Sequence, residues 1–167
     1  MAETLSIPQG GSKEDIYREI LPQIRALMEG EDNLTANLAN IAAVLDMAFG
    51  RLWTGFYLND GDTLVLGPFQ GPLACTRIPL KPVPKGVCGA AADKRETLIV
   101  PDVDKFPGHI ACSGATRSEI VVPLVHAGET RLVLDIDSAQ PDAFDATDKH
   151  YLEDLVDLIR LHHYACA

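Results

Sequence analysis

The sequence predicts an α+β domain in which N- and C-terminal helices cover one face of a mainly antiparallel sheet. Apolar residues recur at helical spacing near both ends of the chain, whereas short segments rich in β-branched and aromatic residues fill its centre. Turn signals join those central segments in pairs. Strands grouped between helices, rather than alternating with them, are typical of α+β domains. The other face of the sheet is then free to form a pocket beneath the long loops.

Composition limits the domain count and the function class. The 167 residues are enough for one substantial core and few for two domains. The chain is 47% hydrophobic, yet no apolar run approaches the ~18 residues that a membrane span needs. A net charge of −10 argues against sequence-independent binding of nucleic acid. We therefore expect one domain that binds a small polar partner, and neither nucleic acid nor membrane.

We expect a flexible N-terminal arm over 1–11 and a single domain over 12–167. The N-terminal residues do not combine a basic region with an apolar one, which favours a cytoplasmic location. There, the four cysteines are expected to be reduced, catalytic or metal-binding rather than a structural disulfide framework. They form no Cys-x-x-Cys pair, which disfavours a structural zinc site. We predict no metal and no other cofactor.

Three helices are predicted from their caps and apolar stripes. The first begins at Ser12, which forms a capping box with Asp15, and Pro22 is expected to kink it. The second ends at Gly50, and a last helix begins at Asp145. Their stripes are Ile16, Ile20, Ile24, Leu27 and Met28; Leu34, Leu38, Ile41, Leu45 and Phe49; and Leu152, Leu155, Val156 and Ile159.

Two β-hairpins are predicted on either side of an irregular middle. The first joins 52–58 to 63–69 across an Asp-Gly turn, and the second joins 118–126 to 130–139 across a short turn that contains Gly128. Both pairs have the β-branched and aromatic composition of strands. Together they supply the centre of the predicted sheet.

The middle of the chain combines short elements with two loops. We predict a strand at 75–80, a loop with two prolines at 81–86, a short helix at 87–94 and a strand at 97–103. A long loop over 104–116 follows. Loops of this length without structure of their own are commonly functional.

Two pairs of side chains in the hairpins are candidates to line a pocket. Alternation along a strand places Trp53 and Tyr57 on one face, and it places Asp135 and Asp137 together on one face of an otherwise apolar strand. The aromatic pair is equally compatible with packing beneath helices, and half-exposed sheets normally alternate polar with apolar residues. The residues alone leave both interpretations open.

The 104–116 loop contains a cysteine with a candidate chemical role. Cys112 lies among small residues that allow a ligand to approach the backbone, and Glu119 stands at the mouth of the next strand. A thiol and a carboxylic acid at adjoining positions are a candidate nucleophile and proton donor. The alternative is a small buried cysteine beside a surface glutamate, which is the commoner outcome for any single cysteine.

These residues together resemble a known family. The segments LWTGFYL, LGPFQGPLAC, RIPL, GVCG, GHIACSGATRSEIVVPL and LVLDIDS occur in the order of the free methionine-(R)-sulfoxide reductases, a branch of the GAF-domain superfamily. The similarity runs from about the second helix to the last. One segment departs from the family: PLKPVPKG, between Cys75 and Cys88, is longer than its counterpart, which leaves open which cysteine resolves the reaction.

The resemblance implies a role for each cysteine. Cys112 matches the nucleophile that attacks the sulfoxide sulfur and becomes a sulfenic acid. Cys75 matches the cysteine that resolves this acid to a disulfide, and Cys88 matches an auxiliary or alternative resolver. Thioredoxin would then reduce the disulfide. Thiol chemistry agrees with this scheme, because a second thiol must capture a sulfenic acid before it oxidises further.

The resemblance also implies a binding site for the free amino acid and a homodimer. Glu119, Asp135 and Asp137 match the acids that hold the polar groups of the substrate. Trp53 and Tyr57 match an aromatic wall around the sulfoxide and its methyl group. The competing class is a GAF-type sensor that binds a small ligand without turnover, because a fold does not fix a function. A zinc-bound thiol cluster, the third interpretation, predicts stoichiometric metal in the purified protein.

Overall fold

The structure, a computed structural model, describes residues 5–8, 10–110 and 113–165. The predicted nucleophile, Cys112, lies outside these residues. The described elements are α1 (Lys13–Glu29), α2 (Leu34–Phe49), β1 (Trp53–Asn59), β2 (Thr63–Gln70), β3 (Arg77–Pro79), α3 (Gly86–Lys94), β4 (Leu98–Val100), a 3-10 turn (Val103–Lys105), β5 (Ser118–His126), β6 (Glu129–Ser138) and α4 (Ala146–His163).

The described strands form one six-stranded sheet in the order β3-β2-β1-β6-β5-β4. Every pair is antiparallel, so the sheet is antiparallel throughout rather than mainly so. Pairing of β1 with β6 sets Trp53 opposite Asp137 and Gly55 opposite Asp135. Pairing of β5 with β6 sets Glu119 opposite the same Asp137. Because paired residues share a face, the register collects these side chains on one side of the sheet.

Two apolar cores lie on opposite faces of this sheet. Helices α1, α2 and α4 build the first core on the face that carries Phe56 and Leu134. Helix α3 and the neighbouring loops cover the second core, on the face that carries Tyr57 and Val133. This arrangement confirms the predicted α+β class, with the terminal helices on one face and a loop-covered pocket on the other.

The helix boundaries agree with the caps read from the sequence. Ser12 and Asp15 form the capping box at the start of α1, and the helix continues through Pro22 to Glu29. Helix α2 ends at Gly50, whose φ of 55° is the left-handed conformation that glycine adopts without strain. Within the described arm, the backbone N–H of Ser6 donates to the side chain of Gln23 at 2.8 Å. Among the described residues, none of the helices combines the length and apolarity that crossing a membrane requires.

The buried carboxylate of Asp148 connects the first helix, α1, to the last helix, α4. Asp148, at the start of α4, is 1% exposed and forms the predicted capping box with Asp145. It also accepts a hydrogen bond from the Tyr17 hydroxyl at 2.9 Å and one from the Lys13 ammonium group. Buried carboxylates are stable only when paired in this way. The network therefore fixes α1 against α4, on the face away from the pocket.

Two predicted strands are shorter in the structure. The strand predicted at 75–80 is β3, which covers only Arg77–Pro79. The other prediction extended over 97–103, but β4 ends at Val100 and a 3-10 turn begins at Val103. Pro101 explains the difference, because proline has no N–H to donate to a neighbouring strand. The prediction of a strand up to 103 was wrong, because it followed the β-branched residues on both sides of the proline and ignored the proline itself.

Candidate active site

A pocket opens on the α3 face of the sheet. We call this cavity the acid pocket. The side chains that line it include Trp53, Tyr57, Cys88, Glu119, Asp135 and Asp137. The space between these side chains, counted together with the open mouth of the cavity, is about 530 Å³. Leu73 and Ala74 reach its rim from the loop that follows β2. The described site residues that were predicted from the sequence therefore line one cavity, apart from Cys75, whose loop borders it.

Stacked aromatic rings form one wall of the acid pocket. The ring centroid of Trp53 lies 5.8 Å from that of Tyr57 and 5.4 Å from that of Phe69. Gly55 makes room for this stack, because a Cβ atom there would lie 2.4 Å from Cβ of Phe69 and 2.6 Å from the indole ring. Neither Gly55 nor Phe69, which stacks on Trp53, was among the candidate residues predicted from the sequence. Their only signal was a position in the LWTGFYL and LGPFQGPLAC segments.

The Tyr57 side chain connects the wall to the loop that carries Cys75. Its hydroxyl donates a hydrogen bond to the backbone carbonyl of Cys75 at 3.0 Å. Burial raises the pKa of the Tyr57 hydroxyl, and the nearby carboxyl of Asp135 raises it further. The hydroxyl therefore remains a protonated donor and holds the loop in place.

Three acids face the aromatic wall. Glu119 is 5% exposed and Asp135 is 6% exposed, while Asp137 is half-buried. Burial raises the pKa of the Glu119 carboxyl well above its usual range, and the charges of Asp135 and Asp137 raise it further. Burial is also the main cause of the raised pKa values of those two aspartates. Ionising all three together is therefore unfavourable unless a cation joins them.

Among the described residues, the lining contains neither lysine nor arginine. His109 is the one basic side chain there, and burial lowers its pKa, which favours the neutral ring. Thr116, which the sequence analysis did not consider, contacts the Asp137 carboxyl and lowers its pKa slightly against the effect of burial. The acid pocket is thus built to receive positive charge from a ligand.

Cys88 forms part of the pocket floor as a buried free thiol, 3% exposed. Its sulfur donates a weak hydrogen bond to Oε1 of Glu119 at 3.9 Å. Burial raises the pKa of this thiol, and the charges of Asp135 and Glu119 raise it further. Its place in the first turn of α3 favours the thiolate, but that effect is weaker than burial beside two acids. Cys88 is therefore a neutral thiol and a poor nucleophile.

Cys75 differs from Cys88 in both position and chemical state. It lies half-buried on the loop between β2 and β3, and it is disulfide-bonded. The sequence left open which of the two cysteines resolves the reaction. In the structure, one of them already takes part in a disulfide and the other is a free thiol.

Several buried polar atoms of the pocket have no partner. Of five such side-chain atoms found among the described residues, three belong to pocket-lining residues: Nε1 of Trp53, Nδ1 of His109 and Oδ1 of Asp135. Buried polar groups are nearly always hydrogen-bonded, so unpartnered ones in a cavity indicate a ligand or water. Trp53 offers a donor, and Asp135 offers an acceptor that suits an ammonium group.

A metal ion is another conceivable occupant. The Cys88 sulfur and one carboxylate oxygen each from Glu119 and Asp135 lie within 4.8 Å of one another. Thiolate and carboxylate ligands suit zinc, so the zinc interpretation has a definite location. The metal content of the purified protein tests it directly. An organic ammonium group would supply the same positive charge beside the carboxylates and would not require Cys88 to ionise.

Comparison with known proteins first gives the class. The family described as GAF domain matches residues 29–161, which extend from the end of α1 into α4. This match includes every strand of the described sheet and every residue of the acid pocket. The fold and pocket are therefore those of a GAF domain.

Individual relatives narrow the family. The chain is 52% identical over 160 residues to GAF domain-containing protein A of Dictyostelium discoideum, covering 95% of this chain and 99% of that protein. It is 45% identical over 157 residues to the free methionine-R-sulfoxide reductase of Saccharomyces cerevisiae, covering 89% and 86%. The substrate complex of the free methionine-R-sulfoxide reductase from Neisseria meningitidis superposes with a TM-score of 0.92 and 51% identity, covering 97% and 96% of the two chains. The chain belongs to the free methionine-R-sulfoxide reductases of the GAF-domain family.

Proposed function

We propose that this protein reduces free L-methionine-(R)-sulfoxide to methionine. The acid pocket is the observation that carries the proposal, because it joins an aromatic wall to three acids in one cavity. Free methionine sulfoxide offers the complementary groups: a methyl group for the rings, a sulfoxide oxygen for a protonated acid and an ammonium group for carboxylates. The names of the yeast and Neisseria relatives agree with this activity.

In the proposed reaction, the Cys112 thiolate attacks the sulfoxide sulfur and Glu119 donates a proton to the sulfoxide oxygen. The oxygen passes to the cysteine, which leaves methionine and a sulfenic acid on Cys112. The raised pKa of the Glu119 carboxyl supports its role, because a proton donor must be protonated at working pH. Asp135 and Asp137 bind the ammonium group of the substrate. Oδ1 of Asp135, which has no hydrogen-bond partner in the structure, accepts a hydrogen bond from that group.

We propose that Cys75 then attacks the sulfenic acid, releases water and forms a disulfide with Cys112. A dithiol reductant such as thioredoxin returns both cysteines to thiols. The disulfide-bonded state of Cys75 and the buried, neutral thiol of Cys88 support Cys75 as the resolver. A homodimer and a cytoplasmic location remain predictions from the resemblance and from the N-terminal sequence.

The function is tested by supplying each epimer of free methionine sulfoxide separately, with thioredoxin, thioredoxin reductase and NADPH. We expect the R epimer to be consumed at least about a hundredfold faster than the S epimer, because a site built around specific polar contacts strongly rejects a misplaced oxygen. Methionine is quantified by chromatography alongside NADPH oxidation. Binding of the sulfoxide without methionine release would identify a sensor and contradict the proposal.

Cys75→Ser is expected to release about one methionine per chain and then stop, because its sulfenic acid has no resolver. The measurement compares methionine released in a single turnover with steady-state NADPH oxidation. Cys88→Ser is the matched variant and should cycle with thioredoxin. Normal cycling by Cys75→Ser together with failure of Cys88→Ser would exchange the roles of the two cysteines.

A further inference from the structure

The loop between β2 and β3 presents an unusually exposed apolar side chain. Leu73 is 90% exposed, whereas the other exposed large apolar residues identified in the described part of the chain are 52% to 61% exposed. A single exposed leucine is not informative by itself, because folded surfaces contain many apolar atoms. Its position is informative, since Leu73 lies two residues before the disulfide-bonded Cys75.

The sequence around Leu73 is also uncharged. Residues 67–76, GPFQGPLACT, contain no charged side chain, although 23% of the whole chain is charged and its net charge is −10. Depletion of charge around exposed apolar side chains is typical of the centre of a protein interface.

Both ends of the loop are held in place. Gly71 adopts a φ of +126°, and a Cβ atom there would lie 2.8 Å from the carbonyl oxygen of Leu52, so the backbone runs tightly against the start of β1. At the other end, the Tyr57 hydroxyl holds the carbonyl of Cys75 at 3.0 Å. Leu73 is thus displayed between two anchored points, and an interface formed here requires little ordering of the loop.

We propose that Leu73 and the uncharged segment around it form the docking surface for the dithiol protein that reduces the Cys75 disulfide. This inference rests on the proposed function. A thiolate of the reductant attacks one sulfur of the disulfide and forms a mixed disulfide, and the other cysteine leaves as a thiolate. The second thiol of the reductant then breaks the mixed disulfide, which gives two thiols on this protein and an oxidised reductant.

The geometry favours this occupant over other partners. A protein reductant must bring its thiolate to the disulfide, and two residues of chain place Leu73 within about 7 Å of Cys75 along the backbone. The exposure of Leu73 also belongs to the disulfide-bonded form, which is the form that a reductant must recognise. A second copy of this chain is the other conceivable occupant, and the experiment separates the two.

The test isolates the reductive step and contains no methionine sulfoxide. The protein is prepared in its disulfide form, and its reduction is timed with thioredoxin and, separately, with dithiothreitol, which is too small to need a docking surface. The variants are Leu73→Asp, the volume-conserving Leu73→Met and, as a matched control on α4, Leu161→Asp, whose leucine is 52% exposed. The quantity compared is the ratio of the thioredoxin rate to the dithiothreitol rate.

We expect Leu73→Asp to lower this ratio about tenfold or more, which corresponds to losing the burial of one leucine at an interface. Leu73→Met should restore the ratio, and Leu161→Asp should match the wild type. An unchanged ratio in Leu73→Asp, an equal fall in Leu161→Asp, or conversion of a wild-type dimer to a monomer by Leu73→Asp in sedimentation would overturn the proposal. Failure of the proposed function would appear elsewhere, as wild-type protein that does not consume methionine sulfoxide even with dithiothreitol.

Discussion

Cys112→Ser is expected to lower turnover of free methionine-(R)-sulfoxide by at least about a thousandfold, because a serine hydroxyl is a poor nucleophile toward sulfur at neutral pH. The substitution removes the attacking atom and leaves the acid pocket intact. We also expect no methionine in a single turnover, which distinguishes this variant from Cys75→Ser with its one equivalent. Methionine release and NADPH oxidation with thioredoxin are the two measurements.

The fourth cysteine of the chain, Cys166, has no proposed role, so Cys166→Ser makes the same substitution as a matched control for this prediction. Thermal unfolding monitored by circular dichroism should show that Cys112→Ser remains folded, because one sulfur is replaced by one oxygen. Substantial thioredoxin-linked activity in Cys112→Ser would refute the assignment of the nucleophile. The reaction would then need another thiol, and the buried, neutral Cys88 is poorly suited to that task.

Local sequence signals predicted most of the fold. The capping box of Ser12 with Asp15 and the stop at Gly50 depend on residues close together in the chain, and the structure has both. The two hairpins follow from equally local turn chemistry. Strand β4 ended early because Pro101 interrupts an otherwise favourable β-branched run. Short-range rules therefore gave element type reliably and placed the ends of the short strands β3 and β4 wrongly.

The assembly of the pocket was less accessible from the sequence. Alternation along β6 correctly placed Asp135 and Asp137 on one face of the sheet. No local signal, however, specifies that Asp137 pairs with Trp53 of β1 on one side and with Glu119 of β5 on the other. Those pairings join strands far apart in the chain. The raised pKa values are further consequences of the assembly, because burial and neighbouring charge exist only after folding.

The same assembled acids give a prediction about the substrate. A free amino acid carries an ammonium group, and a peptide bond or an N-acetyl group removes its charge. Glu119, Asp135 and Asp137 exceed what a sulfoxide oxygen alone requires, and no lysine or arginine from the described residues lines the pocket beside them. An uncharged nitrogen would leave the aspartates without a cation, and the raised pKa values that burial gives them then favour their protonated, neutral forms. The charge-assisted hydrogen bonds to the ammonium group are lost, and each is worth about 1.5–3 kcal/mol.

N-acetylation of methionine-(R)-sulfoxide is therefore expected to lower kcat/KM by at least about a hundredfold. The matched compound is N-methyl-methionine-(R)-sulfoxide, which also adds bulk at the nitrogen but keeps its positive charge. We expect the N-methyl compound to lose far less activity than the N-acetyl compound. Initial rates over a range of concentrations, with the same thioredoxin system, give kcat/KM for all three compounds.

Substitution of either aspartate should narrow the difference in kcat/KM between the free and the N-acetylated substrate. Asp135→Ala and Asp137→Ala are expected to damage turnover of the free amino acid and to change the already slow N-acetyl reaction little. Glu129→Ala removes an exposed acid from the far end of the same strand and should preserve the gap. Equal kcat/KM for free and N-acetylated sulfoxide in the wild type would count directly against a pocket that recognises the ammonium group. A gap that survived in both aspartate variants would assign the discrimination to the size of the acetyl group, because the charged partner would already be gone.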